Sequence, residues 1–445
     1  KLNMSPTKKT VKHQEKGYVP RALALDILDE VVRRNVSPDD RLEFYLKKEN
    51  YRGLPKEDIA LCKSIVMTTL RRWGHIEQIL YNYLKKSVRS HSPRIHLIMM
   101  TAICQLIFMQ SPPYAVVNLA IIQTKNDKKS YKLKNLVNAV LRRVSDDIEK
   151  YTDDQFDHLE LIPKWMLDRW KNYYTSDEIN QIASSLVNIP PLDITLKKID
   201  EKIAEDLGGQ SIVPRNIRFK KYGFIPDIKY YHEGKWWVQD IAASMPVRII
   251  QNEISNKNIV DLCAAPGGKT ANLIDAGAKV TAIESSIDRI SLLKINLKRL
   301  NFEADIIHAD GTKWSSKLKY DGVLIDAPCS STGVMRRNPD ILRRKSHNLD
   351  YLTNLQHKLL INGIKLLKKG GFLLYCTCSL EKEEGEYQID RILDERDDIE
   401  LKKIQKKDFV IFQEFIHPNG YLRILPNTIG DGGNDGFFIS ILQKK

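Results

Sequence analysis

The stretch from Ile259 to Thr270 narrows the possible folds more than any other. An apolar run ends at Asp261 and gives way to the small-residue bend Cys263-Ala264-Ala265-Pro266-Gly267-Gly268, after which Lys269-Thr270 opens a helical pattern. This order predicts strand, tight turn and helix N-terminus, which brings backbone N–H groups up to a bound cofactor. A Walker A loop would need a glycine where Cys263 stands, and a dinucleotide fingerprint would need a third spaced glycine beyond Gly267 and Gly268. The loop therefore calls for a ligand other than ATP or NAD.

Beyond the loop the chain has an α/β texture. Apolar runs at 259–262, 279–283, 304–307, 322–325 and 372–375 predict strands buried on both faces, as in a parallel sheet. Helical spacing predicts helices over 269–274, 287–300, 352–367 and 385–393, and a last strand is expected at 437–442.

The region before it is different. Residues 1–17 form a basic arm, and 18–150 carry helical periodicity with almost no strand signal, predicting a bundle. The run 95–109 suits one buried helix stopped by Pro112 and Pro113, and is too short to span a bilayer. Basic pairs lie at helix ends: Arg33 with Arg34, Arg71 with Arg72, Arg142 with Arg143. Each pair singly answers the helix dipole; together they make an RNA-facing surface an open alternative. Between bundle and α/β region, 151–240 holds short alternating runs at 192–197, 217–219 and 236–238 around a helix at 199–207. That is a small α+β module, either a nucleic-acid clamp or a packing adaptor, and 241–445 forms the main domain.

Lys and Arg outnumber Asp and Glu by 70 to 56 in 445 residues, a balance that favours a polyanionic partner. The six cysteines are too sparse for a disulfide framework, so reduced thiols in a cytoplasm are expected. No secretory signal or membrane span is expected, and a monomer is.

Ligands of open parallel sheets bind at the carboxyl ends of the strands. Those ends read Asp261, Glu284, Asp310, Asp326 and Cys376-Thr377-Cys378-Ser379. One acid at a strand end is commonly a helix cap, whereas acids at four successive ends point to a site. The fourth end continues Asp326-Ala327-Pro328-Cys329-Ser330, so an acid and a thiol sit together at the mouth of the sheet with Cys378 at the next strand. Inert buried thiols are the alternative. Cys376-x-Cys378 lacks the partners of a zinc site.

The segments Asp261 to Thr270, Asp326 to Ser330 and Thr377-Cys378-Ser379 together resemble the NOL1/NOP2/Sun group of RNA cytosine-C5 methyltransferases. Leu136-Val137-Asn138-Ala139-Val140-Leu141-Arg142-Arg143 and Thr69-Leu70-Arg71-Arg72 are similar to NusB-type RNA-binding domains. The combination resembles the bacterial Sun/RsmB branch, which acts on 16S ribosomal RNA. The resemblance implies a class I S-adenosylmethionine-dependent methyltransferase, α/β and Rossmann-like with a mostly parallel sheet, preceded by an all-α NusB-like domain and the small α+β module. It also implies S-adenosylmethionine as cofactor and 16S rRNA as partner.

By the family's pattern Cys378 is the nucleophile at cytosine C6, Cys329 assists product release and Asp326 bonds the base edge. The cofactor falls to Cys263, Ala264, Ala265, Pro266, Gly267, Gly268 and Lys269, with Glu284 for the ribose, Asp310 for adenine, and Arg289 and Asp326 nearby. Arg336, Arg337, Arg343, Arg344 and Lys345 resemble the family's Arg-Arg-x-Pro-Asp loop and are expected to touch phosphates. Two positions depart from the pattern: Cys376 adds a third thiol, and Glu284 replaces a shorter acid. A DNA-type mechanism with Cys329 as nucleophile, a tRNA substrate, and a non-catalytic RNA-binding assembly factor are the alternatives.

Overall fold

The computed structural model describes residues 15–84, 87–127, 129–344, 348–406, 411–430 and 432–445. Most of the expected basic arm and Lys345 lie outside them. The described residues divide into two compact units: the first holds those through Leu167 together with Pro339–Arg344, and the second holds Asp168–Asn338 and those from Asn348 onward.

The first unit is helical. Tyr18–Arg34 buries Leu25, Leu28 and Val31 on one face and ends where Asn35 turns left-handed, at φ 55°. Helices Pro38–Leu46, Lys56–Arg71, Trp73–Tyr83, Pro93–Ile103, Pro113–Asn126 and Lys134–Asp146 complete it. The single helix expected over 95–109 is an α-helix to Ile103 followed by a π-helical turn, Cys104–Phe108. Pro113 occupies the first turn of the next helix, a position whose N–H has no partner to lose.

The basic pairs part company here. Arg33 and Arg34 are exposed beside Asp29 and Glu30, and Arg142 and Arg143 are exposed as well. Arg71 and Arg72 are buried, Arg72 lying over the Phe108 ring and 3.0 Å from Asp153, so this pair is no RNA-facing surface. The unit also encloses Ile341 and Leu342, while Arg343 donates to the Leu161 carbonyl at 3.1 Å.

In the second unit, β1 (Leu192–Leu196), β2 (Gln210–Val213), β3 (Asn216–Phe219) and β4 (Trp236–Val238) form an antiparallel sheet in the order β2-β3-β1-β4. Its buried pair Arg218–Asp193, at 2.7 Å and 2.8 Å, satisfies both carboxylate oxygens, and Asp193 also accepts the N–H of Ile241.

The large sheet comprises β5 (Asn258–Asp261), β6 (Lys279–Glu284), β7 (Asp305–His308), β8 (Tyr320–Asp326), β9 (Leu367–Thr377), β10 (Ile399–Leu401), β11 (Leu422–Ile424) and β12 (Phe437–Lys444). Its order is β10-β12-β9-β8-β5-β6-β7, with β11 also on β12. Strands β5 to β9 pair in parallel, and β12 runs antiparallel beside β9. The sheet is covered on both faces: along β9, Leu374 and Cys376 pack in one core while Leu373 and Tyr375 pack in another. This is the mostly parallel α/β sheet that the sequence predicts. Because β5, β8 and β9 are adjacent and parallel, their carboxyl ends, and the loops after them, converge on one edge.

Candidate active site

The loop after β5 bends through a cis Ala265–Pro266 bond and through Gly267 at φ 105°, a conformation L side chains avoid; a Cβ there would also press on Leu293. Helix Gly268–Asp275 follows directly. Asp261 is buried beneath the loop and accepts from Thr270 Oγ1 at 2.8 Å. Burial pushes its carboxyl up to about 7. Cys263, also in the bend, is pushed well above the ordinary thiol range by burial and by the Asp261 charge.

Glu284, at the end of β6, supports the same loop. Its carboxylate accepts from Ser285 N at 2.9 Å, Ser286 N at 3.1 Å and Ala265 N at 3.3 Å. Arg289, one turn into the next helix, lies 3.3 Å from Glu284 and donates to the Ala265 carbonyl. Asp310, after β7, is half exposed and accepts from the Thr312 hydroxyl and N–H, which hold it below the usual carboxylate range.

Across the gap between β5 and β8, Lys269 Nζ meets Asp326 at 2.7 Å and lies 4.8 Å over the Phe437 ring. Burial works against the ammonium, and the Asp326 carboxylate outweighs it, so Lys269 holds its proton more tightly than a free lysine. Cys376 faces the other carboxylate oxygen at 3.6 Å; it is buried and pushed well above the ordinary thiol range.

Cys329 and Cys378 meet sulfur to sulfur at 3.5 Å. The contact with Cys378, reinforced by burial, keeps the Cys329 thiol protonated well beyond its ordinary range. Cys378 also lies 3.7 Å from Ser331 Oγ, on a left-handed residue with φ 62°. The loops carrying the two thiols are stitched together: Gly333 N donates to the Cys378 carbonyl at 2.9 Å, and Leu380 N to Thr332 Oγ1 at 2.8 Å. A Cβ on Gly333 would collide with the Gly436 and Cys378 carbonyls, so only glycine permits this approach. Below, Glu381 accepts from Trp170 Nε1 at 2.9 Å and Tyr173 OH at 2.7 Å.

The residues expected at the site thus come together in two groups: the cofactor loop with Glu284 and Arg289, and the cluster Lys269, Asp326, Cys329 and Cys378. The expected phosphate contacts do not. Arg336 is 2% exposed and is held by Asp240 and Asp435, each at 2.7 Å. Arg337 pairs with the same two acids at 2.6 Å and 2.9 Å. Both guanidiniums are consumed inside the fold, a correction to the RNA-contact expectation. Arg343 is half-buried within the helical unit, where burial lowers it to about 10, and Arg344 lies 3.3 Å from Asp340. Sequence reasoning passed over Glu384, whose buried carboxylate sits behind both thiols; an acid inside a basic and acidic surface-like run gave no signal of burial.

Both parts of the chain have counterparts among known proteins. Residues 249–443 match the family model described as 16S rRNA methyltransferase RsmB/F, and 19–146 match the NusB family. Ribosomal RNA small subunit methyltransferase B of Cronobacter sakazakii is 30% identical, covering 96% of this chain and 98% of its own. The protein of that name from Erwinia tasmaniensis is 29% identical with the same coverage. Among solved structures, a methyltransferase homologue from Pyrococcus horikoshii superposes with a TM-score of 0.54 at 24% identity, covering 66% of this chain and all of that one. NSun6 from Pyrococcus horikoshii, solved with SFG, gives 0.56 at 20% identity over 64% of this chain and 99% of its own.

Proposed function

We propose a reaction for this chain from the premise that it belongs to the RsmB/F family of 16S rRNA methyltransferases: methylation of a cytosine at C5, with Cys378 as nucleophile. The chain is an S-adenosylmethionine-dependent RNA methyltransferase with RNA as its substrate. The observation that carries the finer reading is the pair of thiols 3.5 Å apart beside the Lys269–Asp326 pair.

Cytosine C5 is a weak nucleophile. Addition of the Cys378 sulfur to C6 pushes the ring electrons to C5, which can then take a methyl group. Bound S-adenosylmethionine supplies that methyl as an electrophilic sulfonium. The Cys329 thiol, in contact with the Cys378 sulfur, stands beside the bond that forms. After transfer the C5 proton passes to water, its C–H electrons restore the C5–C6 double bond, and the Cys378–C6 bond breaks with its electrons returning to sulfur, a release that the protonated Cys329 thiol assists by hydrogen-bonding the departing sulfur. Asp326, oriented by Lys269, hydrogen-bonds the cytosine edge where charge changes. The base must leave any stack to reach these groups.

For the cofactor, the residues present fit. The bend from Cys263 to Gly268 offers backbone close to the strand ends, with a Cβ on Gly268 meeting nothing nearer than 3.7 Å. In this reading the loop and Lys269 face the methionine portion, Glu284 the ribose and Asp310 the adenine amine. Arg289 must swing from Glu284 for the ribose to bind; its side chain is half exposed, which leaves room for that.

The test is to substitute each thiol separately and to offer 16S rRNA and tRNA transcripts. Cys378→Ala is expected to abolish methyl transfer, and Cys329→Ala to accumulate protein covalently bound to RNA on a denaturing gel. The reverse pattern would make Cys329 the nucleophile. Bisulfite sequencing of both RNAs reads which one carries the new 5-methylcytosine, and methylation of tRNA alone overturns the 16S assignment.

A further inference from the structure

The carboxylate of Glu384 lies within the protein, at no measurable exposure, on the turn that follows the Cys378 strand end. One oxygen accepts Ser330 N at 2.9 Å and Gln356 Nε2 at 2.9 Å. The other accepts the hydroxyls of Ser330 and Ser379. Ser330 follows Cys329 and Ser379 follows Cys378, so one carboxylate binds the residue next to each thiol. Gln356 extends the link by donating to the Pro328 carbonyl, on the other side of Cys329, at 2.9 Å. The Glu384 carbonyl in turn accepts Tyr375 OH at 2.8 Å, which ties the turn to β9.

A buried carboxylate is costly unless its lone pairs are filled, and these are filled only while both thiol loops stay in place. Burial raises the carboxyl above the usual range, and the Ser330, Ser379 and Gln356 donors work against that shift. No other acid bonds the residues following both cysteines among the described residues.

We propose that Glu384 is the positioning residue that holds Cys329 and Cys378 at contact distance, by bonding Ser330 and Ser379 at once. It touches neither substrate nor cofactor in this arrangement and acts through the two loops. The inference rests on the two-thiol reading of the site for its catalytic meaning, but not for the spacing itself.

The spacing can be read directly. A bifunctional thiol alkylator that fluoresces only after both ends have reacted bridges two neighbouring cysteines, and loss of the signal in Cys329→Ser and in Cys378→Ser identifies the pair. In the full chain, Glu384→Ala is expected to slow bridging by about tenfold or more, since it removes the hydrogen bonds of all four donors to the carboxylate and about one charge-assisted bond's worth already gives that factor. S-adenosylmethionine affinity by calorimetry stays unchanged, and methyl transfer falls in kcat with the cofactor KM unaltered. Glu384→Gln restores bridging, because the two serine hydroxyls can turn to accept from the new amide while its oxygen keeps the Ser330 and Gln356 donors.

Bridging at the wild-type rate in Glu384→Ala overturns the proposal, as does equal loss of bridging and of cofactor affinity, which would mark a general structural role. Should Glu384→Ala fail to fold, Ser379→Ala decides: slower bridging supports the proposal and an unchanged rate overturns it. Bridging does not depend on which thiol attacks the base. Methylation by Cys378→Ala would therefore overturn the reaction reading and leave the positioning result standing.

Discussion

Lys269 and Asp326 share a 2.7 Å contact but not a common environment: the lysine side chain is 9% exposed and the aspartate 34%. Removing the carboxylate strands a buried ammonium, whereas removing the ammonium leaves a carboxylate that water can still reach. Asp326→Ala is therefore expected to cost about 3 kcal/mol of stability, and Lys269→Met, which keeps the stem, about 1 kcal/mol. Urea unfolding of the two variants at neutral pH checks the order, and the opposite order contradicts it. Since Lys269 binds its proton more tightly folded than unfolded, the pair's contribution is present below the free-lysine range and fades only in strong alkali.

Asp261 gives a pH dependence of opposite origin. Its folded carboxyl, pushed up to about 7 by burial, holds a proton that the unfolded chain releases above roughly pH 4. Its contribution is thus whole below that pH and is lost as pH rises through 7, by on the order of 4 kcal/mol across the window. Asp261→Asn cannot ionise and escapes the loss. Without added cofactor, the stability of Asp261→Asn relative to the parent chain is expected to rise between pH 5 and pH 8 in denaturant titrations; a constant difference excludes the shift.

Arg336 belongs to an ion cluster rather than to an RNA surface. Asp240 caps the helix Ile241–Ile250 and, although burial opposes its charge, Arg337 and Arg336 hold it at about 2. Arg336→Ala leaves Asp240 and Asp435 buried with half their counter-charge and is expected to cost about 3–5 kcal/mol. It should leave the salt dependence of RNA binding unchanged. A log–log salt slope shallower by about 1 would instead place Arg336 on a phosphate. Thermal unfolding and RNA titration at several salt concentrations separate the two.

The central strands of the main sheet were legible because they are apolar runs buried on both faces, while the edge strand β7, only partly buried, was found from its apolar pair Ile306 and Ile307. The runs expected at 279–283 and 322–325 are Lys279–Glu284 and Tyr320–Asp326 in the structure. The short strands Ile399–Leu401 and Leu422–Ile424 were not, since three residues carry no period and become strands only along the edge of β12. The π-helical turn at Cys104 was hidden for a related reason: a fully apolar run looks the same under either helical hydrogen-bond pattern.

Arginines show the other limit. Arg336, Arg337 and Arg343 look alike in a basic loop, yet two meet Asp240 and Asp435, which are distant in sequence, and the third lies against Trp73 and Leu161 in the helical unit. Side-chain type says that a guanidinium seeks an anion or a carbonyl. Only the folded chain says which one it finds.

The sequence by itself determined the chemistry available at each strand end: the small-residue bend after Asp261, the acids Glu284, Asp310 and Asp326, and the thiols Cys329 and Cys378. These are local matters of residue type and spacing along one strand. Tertiary structure decided which of them act together. Cys329 and Cys378 lie 49 positions apart and meet because β8 and β9 pair in parallel register, while Glu384 becomes a link between them only once both loops have closed over it and excluded water. Proximity and desolvation arise from long-range pairing, and no local pattern encodes either.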